Sequence, residues 1–355
     1  MASASGSRAA EADVRPGGAR AGETQAARRE IAELVAGMNR AIDTWDGPAY
    51  VAPLAKSRSM IFLGSDVTEL SLGYDAIAPD ILESFARARA GGRGGSAYAH
   101  GEVRTGATSD GSVGWWVQSM TYRFERDGER REHPFRISGF ALRGADGWKI
   151  ALAHAALPVD ADLLRRLERP GDPPEAIPDP AAGDGPMEGK RSRAAVAVEK
   201  SLRELVRELA ARYNRHDKRG WSDLFAADPD VQVIGVGPSA IREGPPDESL
   251  PFALAPFGRE GARFESDSVV VRVLTTLDKS PDVGWWYESG RLVTRTAGSR
   301  RRSASKANPA ATSVLPVRST GGALRVNGAW RILQWHVDVP VPNDSTVSFS
   351  RRAGR

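Results

Sequence analysis

The sequence contains no cysteine among its 355 residues. Disulfides, thiolate metal ligands and a cysteine nucleophile are therefore excluded. No run of 18 uninterrupted apolar residues occurs, so no transmembrane helix is predicted. The first 23 residues are rich in Ala, Gly, Ser and Arg and lack the apolar segment of a secretory signal. We interpret them as a disordered tail and expect a cytoplasmic protein outside the membrane.

Residues for metal or cofactor chemistry are also scarce. The five histidines show no close spacing with Asp or Glu on one helix, which makes a poor set of metal ligands. The glycine-rich segment AGGRGGS at 90–96 leads from a predicted helix into a strand, whereas a phosphate-binding loop leads from a strand into a helix. No G-x-S-x-G nucleophile motif occurs. We therefore expect no cofactor and no metal.

The formal net charge is +4, and much of the surplus lies in Ser299–Lys306 and in the last six residues. Grooves that bind single-stranded nucleic acid combine cations with aromatic side chains. No aromatic residue stands between these arginines, so we interpret both segments as solvated and do not expect nucleic acid as a partner. Binding of an anionic polymer through Arg300–Arg302 is the alternative.

One four-residue sequence, VGWW, occurs twice, at Val113–Trp116 and Val283–Trp286. The segments before it also repeat. Each half starts with an amphipathic helix whose apolar residues recur every three or four positions, at 31–45 and at 198–213. A strand that ends in Gly follows in each half, at Gly64 and Gly235. The chain is therefore predicted to be a duplication.

Strand signals dominate the rest of each half. In the first half a helix at Asp75–Ala88 precedes four segments that glycine-containing turns separate: Tyr98–Ser109, Val113–Glu125, Glu132–Arg143 and Trp148–Leu157. The second half repeats this order, although Pro251 and Pro256 interrupt its second helix. This order predicts an α+β fold with two cone-shaped domains, each a strongly curved antiparallel sheet wrapped around N-terminal helices. The open end of each cone would be a pocket.

Composition places the domain boundaries. After the tail at 1–23, the first domain spans 24–158 and the second spans 194–343. Between them, 159–193 is a Pro/Gly-rich acidic linker with a short helix, and 344–355 is a basic tail.

Each half contains a segment of 24 residues after its first helix, YVAPLAKSRSMIFLGSDVTELSLG at 50–73 and WSDLFAADPDVQVIGVGPSAIREG at 221–244, and a final strand with His six and Pro ten residues after its Trp. On these residues both halves resemble the nuclear-transport-factor-2-like (NTF2-like) superfamily, and within it the SnoaL-like domains. The resemblance implies the cone fold but no single activity, because the superfamily includes isomerases, cyclases, dehydratases, ligand carriers and dimerisation modules. SnoaL-like domains often have another His four residues after the Trp, where this sequence has Leu152 and Gln334.

Side chains alternate between the faces of a strand. Alternation along the two final strands places His154 with Trp148 and His336 with Trp330. We expect these faces to be concave, so that each imidazole would lie in a pocket as a neutral proton acceptor. The alternative is that each His is a core residue that hydrogen-bonds the backbone.

The double Trp is interpreted in the same way. Trp116 shares a face with Gln118 and Tyr122, which suit a pocket wall, so Trp116 and Trp286 are predicted to face inward. Their neighbours at 115 and 285 would cover the outer face, where the resemblance implies that domains pair. Ordinary core and surface packing is the alternative.

The two pockets are expected to differ at one polar position, because Gln118 corresponds to Glu288. A carboxyl group beside His336 could exchange a proton with it, so the second pocket is the candidate for acid/base chemistry. The first pocket is the candidate for binding only. Its polar candidates are His154, Gln118, Tyr122 and His100. A solvent-facing Glu288 is the alternative. Asp43 and Asp217 are interpreted as turn or cap residues, and His133 and His216 as surface residues.

We therefore predict binding of a small apolar or polyketide-like organic molecule in pockets lined in part by Trp116, Trp148, Trp286 and Trp330. The catalytic candidates are His336 and Glu288, for cofactor-free isomerase, cyclase or dehydratase chemistry. The domains are expected to pair within the chain as a pseudo-dimer. The alternative is a non-catalytic interaction or dimerisation protein whose cavities are filled by side chains.

Overall fold

A computed structural model describes residues 18–91, 97–126, 128–170, 193–247, 258, 261–274, 282–295, 312–342 and 351–352. The expectations for the first 17 residues, for the prolines at 251 and 256 and for the basic loop at 299–306 fall outside these ranges. Within them, no helix is both long and apolar enough to cross a membrane.

The first domain combines three helices with one mixed sheet. The helices are α1 (Gly18–Asp43), α2 (Gly47–Val51) and α3 (Tyr74–Ala90). The strands are β1 (Ile61–Leu63), β2 (Leu70–Leu72), β3 (Ala97–Ala107), β4 (Val113–Arg126), β5 (Glu129–Gly144) and β6 (Gly147–Ala156). They lie in the order β2-β1-β6-β5-β4-β3, antiparallel except for the β1–β6 pair. The apolar stripe of α1 packs on the inner face of this sheet, where Ile31 and Val35 join Trp116 and Trp148 in one core.

The second domain repeats the arrangement. After α4 (Ala161–Leu167) and β7 (Arg169–Pro170) come α5 (Arg193–Asn214) and α6 (Lys218–Ser222). The strands are β8 (Gln232–Ile234), β9 (Ile241–Glu243), β10 (Ala262–Leu274), β11 (Val283–Arg295), β12 (Thr312–Val326) and β13 (Ala329–Asp338). Their order, β9-β8-β13-β12-β11-β10, is that of the first sheet. The predicted α+β fold with two similar domains is confirmed.

In each domain, one aspartate caps the short second helix. The Asp46 side chain accepts from the Ala49 backbone N–H, and Asp217 accepts from Gly220 in the same way. The cap interpretation of Asp217 is therefore confirmed. Its equivalent in the first domain is Asp46, 171 positions earlier, whereas Asp43 is the last residue of α1.

The outer faces of the two sheets contact each other through equivalent pairs of groups. The Trp115 indole donates to the Asp230 carbonyl at 2.7 Å, and the Trp285 indole donates to the Ser59 carbonyl at 2.8 Å. Ser59 and Asp230 are themselves equivalent positions, so the contact is reciprocal. The prediction that these two tryptophans cover the outer face is confirmed.

Two buried arginines extend the reciprocal contact. Arg136 donates to the carbonyls of Gly235, Gly237 and Pro238 in the second domain. Its equivalent, Arg318, donates to the Gly64 and Asp66 carbonyls in the first domain.

The segment that follows each domain also reaches the other sheet. β7 pairs with β12, and a short final strand, β14 (Arg351–Arg352), pairs with β5. The predicted short helix is α4, and its Leu164 is buried in the core of the second domain. Parts of the predicted linker and tail therefore complete the two sheets.

Candidate functional site

A β-bulge in β6 changes the face on which His154 lies. Phe140 pairs with Leu152, but the next residue of β5 pairs with Ile150, so that Ala151 is an extra residue in β6. An extra residue exchanges the two faces of a strand from that point on. Trp148 and Ile150 therefore lie in the inner core, as expected, whereas His154 lies on the outer face. The prediction that His154 faces the pocket is wrong.

The same bulge occurs in β13. Gly322 pairs with Gln334 and Ala323 pairs with Ile332, so that Leu333 is the extra residue. Trp330 lies in the inner core, but His336 lies on the outer face against the first domain. The expected pocket position of His336 is wrong for the same reason.

The two histidines meet at the centre of the contact between the sheets. Their ring centroids are 3.9 Å apart, and both side chains are fully buried. His154 Nδ1 lies 2.9 Å from Thr320 Oγ1, and His336 Nδ1 lies 2.8 Å from Ser138 Oγ. Each imidazole is therefore hydrogen-bonded to a hydroxyl of the other domain.

Burial and nearby cations keep this histidine pair neutral. Burial lowers the pKa of both imidazoles, and that of His336 falls well below its usual value because His154, Arg136 and Arg318 add to the effect. Asp338 opposes the shift at His154, from which its carboxylate is 3.4 Å away. Burial raises the pKa of Asp338 itself, but Arg318 and His154 lower it by more, so this carboxylate stays ionised. The cluster is thus a buried domain contact.

The inner tryptophans lie where alternation predicted them. Trp116 and Trp286 are completely buried in the cores of their own domains. Each indole covers a glycine of the neighbouring strand, Gly139 or Gly321, where a Cβ would come within 2.2 Å of the ring. These glycines leave the space that the large rings need.

Glu288 follows Trp286 on the inner face and lines a small cavity in the second domain. It is buried, and Ser319 donates to its Oε2 at 3.2 Å. Burial raises its pKa to about 7, against the lowering effect of the Ser266 and Ser319 hydroxyls. Because His336 lies on the opposite face of the sheet, the two predicted catalytic residues do not form a pair.

The second-domain cavity is almost filled by side chains. Its volume is about 20 Å³, room for about one water molecule. Trp335 and Val337 line it, at the positions where the first domain has Ala153 and Ala155. These larger side chains occupy the space that the first domain leaves open.

The first domain contains a cavity of about 520 Å³, a size typical of small-molecule sites. Its walls include six aromatic side chains: Trp45, Tyr50, Phe62, Phe85, Tyr98 and Phe135. The polar lining includes exposed residues of the kind expected at a mouth: Thr68, Glu69, Asp80 and Ser84. Within the described residues, this cavity is larger than the one lined by Glu288.

An acid–base pair lies beside this cavity. His100 Nε2 and Asp43 Oδ1 are 2.8 Å apart. The His100 ring is 6.3 Å from that of the lining residue Tyr98, and in the sheet His100 pairs with the lining residue Met120. A carboxylate can only accept, so Nε2 carries the hydrogen of this bond. In the neutral ring Nδ1 is then a free acceptor, and it is buried without a hydrogen-bond partner among the described residues.

Asp43 does not correspond to the cap residue Asp217. The offset of 171 residues that relates Asp46 to Asp217 and Ser59 to Asp230 matches Asp43 to Asn214. Strand pairing matches His100 to Ser266, since each pairs with the fourth residue after the inner tryptophan. The spacing in the sequence thus separates Asp43 from the two capping aspartates, Asp46 and Asp217.

The remaining candidates have various surroundings. Gln118 is buried, and its Nε2 donates to the Gly101 carbonyl at 2.9 Å. Tyr122 packs between Tyr98 and Phe124 rather than lining the cavity. Trp148 donates to Glu30, and Trp330 donates to Ser201.

His133, expected at the surface, is 5% exposed, because its ring stacks on Phe124. His216 is exposed, as expected.

Among the residues that the structure describes, no three His, Asp or Glu side chains are grouped so as to hold a metal ion.

No protein-family model matches the chain, and no curated protein matches it. Solved structures are similar to parts of the chain. An NTF2-like protein with a cystatin-like fold from Novosphingobium aromaticivorans is 18% identical and has a TM-score of 0.34, and the match covers 43% of this chain and 96% of that protein. An NTF2-like protein of unknown function from Pseudomonas putida is 16% identical with a TM-score of 0.33, covering 39% and 92%. An NTF2-like superfamily protein from Salmonella enterica is 16% identical with a TM-score of 0.32, and the match covers 39% of this chain and 94% of that protein.

Each match covers about two fifths of this chain. At these identities and TM-scores the similarity carries no activity over to this chain. Within the described residues, the first domain contains the open cavity next to the acid–base pair, and the cavity lined by Glu288 in the second domain measures about 20 Å³.

Proposed function

We propose that the first NTF2-like domain binds a hydrophobic organic molecule and transfers a proton on it through His100. The observation that carries this proposal is the aromatic cavity of about 520 Å³ with the His100–Asp43 pair next to its lining residues Tyr98 and Met120. The proposal keeps the predicted chemical class, isomerisation, cyclisation or dehydration without a cofactor, and assigns it to the other domain.

The pair has the geometry of an oriented general base. Asp43 accepts the Nε2 hydrogen, which fixes the tautomer and leaves Nδ1 as the proton acceptor. When Nδ1 takes a proton from the ligand, the carboxylate stabilises the imidazolium, which can return the proton at a second atom. An isomerase or a dehydratase requires this order of proton transfers.

We further propose that the second domain is a non-catalytic partner in an intramolecular pseudo-dimer. Its cavity of about 20 Å³ favours the filled-cavity alternative for this half of the chain. The reciprocal bonds of Arg136 and Arg318 to backbone carbonyls support its role in holding the sheet of the first domain.

Native mass spectrometry of freshly purified protein tests the binding proposal. We expect a co-purified organic molecule in the wild type, or a 1:1 complex after addition of 2-naphthylmethanol. Ala155→Phe should abolish both, because Ala155 lines the cavity. Ala90→Phe adds the same side chain at the exposed end of α3 and should leave binding unchanged. Equal binding by the two variants would contradict the proposal.

Hydrogen–deuterium exchange into the co-purified molecule tests the chemistry. The wild type should catalyse exchange at carbon in deuterated buffer, while His100→Gln should bind the molecule without exchanging it. Unchanged exchange in this variant would exclude His100 as the base. Asp43→Asn should retain binding and lose most of the exchange rate, about 10²-fold or more for a general base.

A further inference from the structure

One wall of the cavity in the first domain is contacted from behind by the second domain. We infer that Arg318 of the second domain is a positioning residue for the ligand site, because it fixes the turn between β1 and β2 that forms this wall. The inference rests on the proposed function, since it concerns the molecule that the cavity binds. It gives the second domain a part in ligand binding.

The turn between β1 and β2 supplies a continuous part of the cavity lining. The lining residues of this segment, including one in β2, are Gly64, Ser65, Thr68, Glu69 and Ser71. Both strands are three residues long, and β2 lies at the edge of the sheet. A short edge strand makes few ladder hydrogen bonds, so the position of the turn depends on further contacts.

Hydrogen bonds within the turn fix its shape. The Gly64 N–H donates to the Glu69 carbonyl at 2.7 Å, and the Glu69 side chain accepts from the Asp66 N–H at 3.0 Å. Asp66 Oδ1 accepts from the N–H and the hydroxyl of Thr68, at 2.8 and 2.7 Å. All of these bonds join residues of the turn to each other. They set its local shape, while its position against the cavity is set by other contacts.

Arg318 makes such contacts on the outer side of the turn. Its guanidinium donates to three successive carbonyls, those of Gly64 at 2.9 Å, Ser65 at 3.4 Å and Asp66 at 2.6 Å. Its Nε and Nη2 also donate to the two carboxylate oxygens of Asp338, at 3.2 and 2.5 Å. Arg318 is completely buried. A planar guanidinium that a carboxylate orients in this way fixes the carbonyls that it binds.

A backbone group of the second domain adds to this contact. The Val341 N–H donates to the Ser65 carbonyl at 3.0 Å, and Ser65 itself lines the cavity. The turn therefore lies between the ligand site on one side and the second domain on the other. If the turn were displaced, fewer molecules would have a cavity of the correct shape, and the apparent affinity falls with that fraction.

The reciprocal contact provides a control, because it has no ligand site behind it. Arg136 donates to the carbonyls of Gly235, Gly237 and Pro238 in the equivalent turn of the second domain. Of the described residues that line the second-domain cavity, none belongs to this turn. Arg136 and Arg318 thus make the same kind of contact, but only Arg318 contacts a cavity wall.

Calorimetric titration of the full chain with 2-naphthylmethanol tests the inference. Arg318→Met should weaken binding at least about tenfold, because the turn loses three hydrogen bonds to a charged donor. Arg136→Met should stay within about twofold of the wild type, since its site is independent of the cavity. Trp335→Ala alters the core of the second domain and controls for a general loss of stability. It should also stay within about twofold.

Arg318→Lys provides a milder change in case Arg318→Met does not fold. An ammonium can still pair with Asp338, but it cannot reproduce the fork of donors that binds successive carbonyls. We expect this variant to bind the probe at least about threefold more weakly than the wild type.

Hydrogen exchange at the Val341 amide reports whether the turn contacts the second domain. Pro340 and Pro342 flank it and have no amide hydrogen, so few other amides contribute to a peptide from this region. Arg318→Met should accelerate exchange at Val341 but not at Val159, the reciprocal donor of the first domain. Saturating 2-naphthylmethanol should slow exchange at Val341 in the wild type, because binding and contact are linked.

The possible failures are distinguishable. Wild-type affinity in Arg318→Met or Arg318→Lys, equal losses in Arg136→Met or Trp335→Ala, or unchanged exchange at Val341 would overturn the inference while the cavity remained a ligand site. If the wild type did not bind the probe, or if Ala155→Phe left binding intact, the proposed function itself would fail.

Discussion

The two domains share a strand order and differ in what occupies the inside of the cone. Within the described residues, the first contains a cavity of about 520 Å³ and the second one of about 20 Å³. The inner face of the last strand also differs, since Ala153 and Ala155 of the first domain correspond to Trp335 and Val337 of the second. A few side chains thus alter the inside of one fold, so the fold alone does not determine the function.

The polar groups differ in the same direction. Asp43 and His100 form a hydrogen-bonded pair in the first domain. At the equivalent position Asn214 is bonded twice to the backbone of Phe264, at 2.8 Å each. The second domain therefore uses this position to fix a strand. The two copies thus use equivalent positions for different contacts.

Trp335→Ala should have the largest effect on stability. The Trp335 ring packs edge-on against Trp221, with centroids 5.6 Å apart, and truncation leaves a cavity that the surroundings cannot fill. We expect a loss of about 3–5 kcal/mol in the free energy of unfolding, measured by urea denaturation. Ala155→Phe, which adds volume to the empty cavity, should cost far less. Similar losses in both variants would mean that the cones do not differ in packing.

The two interface arginines should differ although their positions are equivalent. Arg318→Met leaves Asp338 buried without its ion pair, and such a loss typically costs about 3–5 kcal/mol. Ala156 stands in the first domain where Asp338 stands in the second, so Arg136→Met should leave only carbonyl groups unpaired and cost less. Urea denaturation of both variants measures the difference. Equal costs would show that the ion pair adds nothing beyond the carbonyl contacts.

How much of this could be predicted from the sequence depends on the local register. Alternation placed Trp116, Trp286 and Glu288 correctly, because β4 and β11 pair with their central neighbours without a shift. The same rule failed for His154 and His336, because each final strand contains a β-bulge that its residue types do not indicate. The order of elements was predictable, since helix periodicity and glycine turns are local signals.

The location of the better cavity was not predictable in this way. Cavity volume depends on how side chains from several elements fill a shared space. Ala153 and Ala155 are the residues from which the cavity could have been predicted. In a duplicated chain, two small residues at the positions that Trp335 and Val337 occupy in the other copy indicate extra space. Asp43 and His100 are 57 residues apart and meet only through the packing of α1 on β3.

Glu288 should make the second domain sensitive to alkaline pH. Its pKa is raised by burial to about 7 from an ordinary value of 4.5, so the folded state binds a proton that the unfolded state has lost. The stability that this proton provides is present below pH 4.5 and disappears as the pH rises through 7. Glu288→Gln should therefore unfold less readily than the wild type at pH 9, by roughly 3 kcal/mol from the size of the shift. Equal stabilities at pH 9 would contradict the raised pKa.

The buried histidine pair should act in the opposite pH range. His154 and His336 have pKa values lowered from 6.5, so below pH 6.5 the unfolded chain binds protons that the folded chain excludes. Stability should fall as the pH decreases from 6.5, by at most about 1.4 kcal/mol per pH unit for each imidazole. The experiment is best done in Glu288→Gln, because Glu288 changes stability in the other direction over part of this range.

Asp338 does not obscure the result, because its pKa is lowered from 3.8 and its own contribution is lost only at more acidic pH. Urea denaturation at pH 7.5 and pH 5 measures the effect, and a variant with both histidines changed to Gln should lose most of the difference. His216→Gln, an exposed position, is the control. A wild-type pH dependence that survives the double change would show that the contact between the sheets does not hold these imidazoles neutral.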